Sequence, residues 1–372
     1  MGQGGAMNRR QFLQQGLTVS AGLALGGLPK FAGWAHADDP TKWRTFEVTT
    51  AVEVKDAVGA VRAWVPVPLT TPTDYFKREP DGFSGNYKAA RSVQYDKYGT
   101  AMVFAEWAAS EKAPQLEVKS RFMTRDRAID VNAKPATPAK ENPAVLHYFR
   151  QPSKLIRTDG VVASTSKSIV MGYKSDVDKA RAIYEWIVDN TFRDAKVKGC
   201  GIGDISTMLE SGYLGGKCAD LNALFVGLAR AAGLPARDVY GVRVAASSEF
   251  KSLGRADDIT GAQHCRAEVY LNGFGWTPVD PADVRKVVLE ENLPGEQLAL
   301  TDPKVKRARE KLFGAWEMNW LPYNYAHDIK LPGSKLSDIA FLMYPQLETA
   351  NGRRDSLDPA NFKYTIKSKE IV

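Results

Sequence analysis

"GGKCADLNALFVGLARAAGLPAR" (residues 215–237) decides how this chain is read. After Cys218, the apolar residues Leu221, Leu224, Phe225, Leu228 and Ala232 recur at helical spacing. Gly233 suits the residue just past the helix end, and Pro235 confirms the stop. The spacing therefore predicts an amphipathic helix that begins at Cys218. Gly215 and Gly216 let the chain bend into that helix and leave room for a substrate. Unpaired backbone N–H groups and the positive end of the helix dipole meet at Cys218. A thiol acts as a nucleophile only as thiolate, and a helix N-terminus favours that form. The backbone N–H of Cys218 is also placed to receive an oxyanion.

A reactive thiolate needs a base, and the base needs a group to orient it. "ARDVYGVRV" (236–244) reads as a strand. After a polar loop, "HCRAEVYLNGFGWTPVDP" (264–281) reads as a β-hairpin turned at Asn272-Gly273. With that turn, position 264 lies opposite roughly 280–283. His264 and Asp280 therefore meet at the open end of the hairpin.

The order Cys, His, Asp, in these two stretches, resembles the transglutaminase-like superfamily. The resemblance covers about residues 150–285. It implies an α+β, papain-like core: a Cys-bearing helix packed on an antiparallel sheet that carries His and Asp. It implies Cys218 as nucleophile, His264 as general base and later acid, and Asp280 as the group that fixes the imidazole tautomer. The implied reaction is attack on an amide, a thioester on Cys218, then transfer to water or to an amine. The family uses a further oxyanion donor, for which Tyr213 is the candidate here. It often carries an aromatic residue two positions after the histidine; Arg266 stands there instead and hints at a carboxylate-bearing substrate.

Around this core, residues 38–130 alternate apolar and polar in short runs between turn residues, as in "RTFEVTTAVEV" and "QLEVKSRFMTRD". That pattern predicts an antiparallel β-sandwich-like domain. A proline-bearing linker follows (131–144), then the catalytic core (145–290). Ser175 and Asp178 mark a capping box that opens a helix within it. Residues 291–372 form an extension expected to pack on the core.

The chain has 372 residues and a formal charge of +7. Arg9, Arg10 and Lys30 supply part of that excess and fall in residues 1–37, which contain no acid. The segment joins twin arginines, a weakly apolar run and an A-x-A site at Ala35–Ala37. It resembles a twin-arginine export signal and implies a periplasmic protein. No later segment is long and apolar enough to span a bilayer. The remaining basic residues form no single block, so nothing points to nucleic acid. The expected partner is a peptide or protein substrate.

No motif calls for a cofactor, and no Cys or His spacing calls for a metal. Cys200 and Cys265 are candidates for a disulfide in an oxidising compartment. Strand alternation equally makes Cys265 a core residue beside Ala267, Val269 and Leu271. Glu268 suits an ion pair with Arg266 or another arginine, and Asp220 suits a helix cap. The reading is a cysteine enzyme with hydrolysis slightly favoured over amine transfer. The alternative is a non-catalytic peptide- or envelope-binding protein on the same fold.

Overall fold

The computed structural model describes residues 42–133 and 139–371. The expected export signal, and residues 134–138 of the expected linker, lie outside the described residues.

The alternating runs near the N-terminus form two five-stranded sheets. In the first, Arg44–Glu53 lies between Gln115–Thr124 and Lys363–Ile371, all antiparallel. The second centres on Val61–Pro66 and Ala101–Trp107. Gln115–Thr124 shows why its sequence makes a strand: every second side chain, from Leu116 to Thr124, is buried. Val52, Leu116 and Val118 of the first sheet meet Val61, Val65, Val103 and Leu347 of the second in one apolar layer.

The extension at 291–372 divides. Trp320–Asn324 joins the core sheet, while Gln346–Thr349, Gly352–Arg353 and Lys363–Ile371 complete the two N-terminal sheets. A strand pattern specifies a face but not a partner, and Lys363–Ile371 covers what would otherwise be an open edge at Arg44–Glu53.

The core sheet has the order Gly275–Val279, Gln263–Leu271, Ala236–Arg243, Trp320–Asn324. The helix Cys218–Ala231 lies on one face, against Cys265, Ala267, Val269 and Leu271. The other face, with Val239, Val242, Trp320 and Leu321, packs on Phe46 and Phe122 of the first N-terminal sheet. The helix pattern implies one apolar side, yet every residue from Cys218 to Arg230 is buried. Its far side is covered by the helices Gly160–Val170 and Asp176–Asn190, which add Val162, Ile183 and Ile187 to the same core. Ser175 caps the second of these by accepting from the Asp178 N–H at 3.0 Å, as the capping-box spacing implied.

Gly241 permits the tightest approach in the core sheet. A Cβ there would stand 2.2 Å from the Leu321 carbonyl oxygen and 2.4 Å from the Trp320 ring. That closeness lets Trp320 Nε1 donate to the His264 carbonyl at 3.1 Å, which holds the start of the histidine strand.

Candidate active site

The Cys helix is fixed at its first turn. Asp220 Oδ2 accepts from Lys217 N–H (2.9 Å), and its Oδ1 accepts from Ile202 and Gly203 N–H (3.0 and 2.9 Å). The capping residue therefore also clamps the glycine loop 199–204 onto the helix. Gly201 makes this possible: its φ is +89°, and a Cβ there would lie 1.8 Å from Asp220 Oδ2. Gly201→Ala is expected to lower the unfolding free energy by about 1–3 kcal/mol, read from urea denaturation. The Ala219 N–H donates to the Cys200 carbonyl, and those of Asp220 and Leu221 reach the Lys217 carbonyl. The Cys218 N–H, the first in the helix, has no such partner.

The hairpin delivers His264. Gln263–Leu271 and Gly275–Val279 pair with Leu271 opposite Gly275, a loop of three residues. Ala267 lies opposite Val279, so His264 extends alongside the start of the next helix, Pro281–Glu290. Asp280 caps that helix, accepting from Asp283 N–H with Oδ1 at 3.1 Å. Its Oδ2 lies 2.7 Å from His264 Nε2. This bond leaves Nδ1 as the ring nitrogen not engaged by the carboxylate, and the imidazole helps to lower the pKa of the Cys218 thiol.

Three further groups complete the site, and none was singled out in the sequence. Asn222 stands one helical turn after Cys218; its Nδ2 donates to Asp280 Oδ1 (3.1 Å) and to the Cys265 carbonyl (2.8 Å). It ties helix, histidine strand and carboxylate together. Asp283 Oδ2 lies 3.3 Å from His264 Nε2. Arg243 donates to both oxygens of Asp283, at 2.7 and 2.9 Å. The signal for Asn222 was a carboxamide at i+4 from the cysteine within an apolar run. Asp283 sits at the i+3 position that caps commonly use.

Burial alone opposes charge on every member of this group, so the pairings decide their states. The Cys218 thiol is pulled well below its ordinary value, by the neighbouring Cys200 and Cys265 thiols and by His264, against the effect of burial. Burial and Arg243 disfavour a proton on His264, but Asp283 and Asp280 outweigh them and push it up to about 9. Asp283 is held well below the usual range; burial opposes this, and Arg243 and His264 overcome it. Burial and the adjacent Asp283 raise Asp280. Donor atoms of His264, Asp280 and Asp283 lie within 4.8 Å of one another, a spacing that a cation could bridge. Here Arg243 and Arg266, the latter 3.7 Å from Asp280 Oδ2, already supply positive charge to the carboxylates.

Other expected residues fall elsewhere. Tyr213 does not line the cleft: it is 54% exposed, donates to Asp194 Oδ2 at 2.8 Å and packs edge-on against Phe192. Adjacency in sequence suggested it, but the chain turns it outward. Gly215 and Gly216 pair with Phe192 and Arg193 and deliver the cysteine to the cleft without lining it. Arg266 is buried behind the carboxylates between Trp316 and Trp320, its Cζ 5.2 and 4.8 Å from their ring centres. It donates to the Glu317 carbonyl at 3.0 Å and forms no cleft wall. Glu268 pairs with Arg127 and Arg237 instead of Arg266. Cys200 and Cys265, the candidate disulfide, are free thiols. Cys200 Sγ donates to the Gln263 carbonyl (3.3 Å), and Cys265 faces Met343 Sδ (3.7 Å) in the core.

The thiol opens into a cleft of about 1020 Å³. Cys200, Cys218 and His264 stand on its wall, and Tyr344, Leu357, Phe362 and Tyr364 of the C-terminal segment face into it. The Tyr344 hydroxyl accepts from the Cys200 N–H at 3.0 Å, which leaves its own proton available.

A family model described as the transglutaminase-like superfamily matches residues 163–281, a span that encloses Cys218, His264 and Asp280. An uncharacterised protein of Haemophilus influenzae is 36% identical over 94% of this chain and 99% of its own length. The chain belongs to the transglutaminase-like superfamily. Among solved structures, a candidate cysteine protease from Cytophaga hutchinsonii aligns with a TM-score of 0.49 and 14% identity, covering 88% of this chain and 98% of that one. The periplasmic domain of TgpA from Pseudomonas aeruginosa aligns with a TM-score of 0.35 and 13% identity, over 68% and 93%. Membership of the transglutaminase-like superfamily makes this, at the family level, a cysteine enzyme fold. Among the described residues, no helix is long and apolar enough to cross a membrane.

Proposed function

We propose that this protein is a periplasmic cysteine hydrolase that cleaves an amide bond through Cys218, His264 and Asp280. The observation that carries this reading is the buried imidazole–carboxylate pair, His264 Nε2 2.7 Å from Asp280 Oδ2, on the cleft wall that Cys218 shares. The thiolate attacks the carbonyl carbon, and the Cys218 N–H receives the developing oxyanion. Gln263 offers a second donor at the cleft, because its Nε2 is buried without a partner. Protonated His264 gives its proton to the leaving amine as the C–N bond breaks, and a thioester remains on Cys218. His264, now neutral, takes a proton from water, whose oxygen attacks the thioester and releases acid and thiol. Asp280 orients the ring and stabilises its charge throughout. An amine in place of water would give transfer by the same steps; the open cleft admits water freely, which favours hydrolysis.

The pH dependence follows from the pKa directions. The thiolate–imidazolium pair persists from the depressed value of Cys218 up to about 9 for His264. We expect kcat/KM to be flat through neutrality and to fall above about pH 9, where the proton for the leaving amine is lost. A rate that instead keeps climbing through pH 8–9, as for an ordinary thiol near pKa ~8.5, contradicts this pairing. The direct test is mass spectrometry of the full chain incubated with peptide mixtures. A transient acyl adduct on Cys218, absent in Cys218→Ala, supports the reading; peptides that bind and are never acylated or cut support the non-catalytic alternative.

A further inference from the structure

The cleft wall is lopsided in charge. Seven lysine and arginine side chains line it, against two carboxylates, Glu290 and Glu291. The chain as a whole is nearly balanced, with 50 basic and 43 acidic residues, so the excess is local. Four of the cations are already engaged. Arg243 is committed to Asp283, and Lys304 lies 3.2 Å from Glu291. Arg193 and Lys286 share Glu290, at 2.7 and 3.6 Å.

Lys217, Lys251 and Arg255 are different: among the described residues no carboxylate lies within ion-pairing distance of them, and all three line the cleft. They arrive from two segments. Lys217 immediately precedes the nucleophile, Lys251 opens the short turn Lys251–Leu253, and Arg255 lies in the loop beyond it. The same wall holds two buried polar atoms without partners, Ser252 Oγ and Gln263 Nε2. Converging unpaired cations in a concave site attract anions and discriminate against cations.

We propose that the cleft selects peptide substrates bearing carboxylates next to the amide that Cys218 attacks. The proposal rests on the hydrolase reading of the site but concerns recognition, so binding tests it separately. Acidic side chains and a free C-terminal carboxylate share this chemistry, and the assay tells them apart.

The experiment uses the full chain carrying Cys218→Ser, which binds without turnover, and unlabelled N-acetylated hexapeptides read by isothermal titration calorimetry. One peptide is rich in glutamate and amidated, one has glutamine in place of glutamate and a free C-terminus, and one has glutamine and is amidated. The first or the second is expected to bind about tenfold tighter than the third, with the advantage shrinking at high salt. Which of the two is tighter identifies the carboxylate source. A double substitution, Lys251→Glu with Arg255→Glu, is expected to remove that advantage without moving the unfolding midpoint. Both residues are exposed, so their replacement spares the fold. Equal binding of all three peptides overturns the proposal. So does an oligonucleotide of matching charge that binds as tightly as the preferred peptide. If carboxylate preference holds and no acyl adduct ever forms on wild-type Cys218, recognition stands and the hydrolase reading falls.

Discussion

His264→Ala is expected to slow alkylation of Cys218 by iodoacetamide at pH 6 by about 100-fold, because a thiol returned to pKa ~8.5 is almost wholly protonated there. Turnover should fall by at least about 100-fold as well, since the general acid and base are lost together. Three neighbours act on the Cys218 sulfur: the Cys200 thiol, the Cys265 thiol and the His264 imidazole. A thiol is a weak donor, whereas an imidazolium brings a full charge. Cys200→Ala should therefore cost less than His264→Ala in the same assay, about tenfold at most. Stopped-flow labelling of the two variants across pH 5–9 decides the order. Equal slowing would mean that the thiol cluster, and not the ion pair, sets the reactivity.

Glu268→Ala carries the largest expected loss of stability, about 3–5 kcal/mol by urea denaturation, because it strands two buried guanidinium groups. Glu268 is fully buried, pairs with Arg127, and lies 2.6 Å from Arg237. Tyr75 OH adds a hydrogen bond at 3.3 Å. The Arg237 guanidinium sits over Trp276 and Tyr325 at 3.9 and 3.8 Å, so the aromatic faces would soften the loss without cancelling it. The contrast is Glu370→Ala, which breaks the half-exposed pair with Arg44 and should cost about 0–1 kcal/mol. If the two variants unfold at the same urea concentration, burial of the Glu268 cluster does not govern stability.

Local pattern carried much of this molecule. The helix after Cys218 and the hairpin that joins His264 to Asp280 follow from spacing and turn residues within about 65 positions of one another. What escaped was long-range. Arg243 and Asp283 meet across 40 positions, and neither periodicity nor capping rules match a buried arginine to its carboxylate. Arg266 was expected at the cleft because it stands where the family often carries an aromatic residue, two positions after the histidine. Its strand face is covered beyond His264 by Trp316 and Trp320, which only the packing of a distant strand reveals. Tyr213 falls outside the cleft and Tyr344 inside it for the same reason. The family resemblance called for a further donor without locating it, while the cleft is walled by a tyrosine far along the chain.

The pairing of residues 44–53 with 363–371 has a consequence for biosynthesis. Phe362 and Tyr364, in and beside the strand that closes this sheet, also face the thiol across the cleft. Residues 362–364 must therefore leave the ribosome before the pocket acquires its far side. A nascent fragment that stops short of them would hold Cys218, His264 and Asp280 without that enclosure.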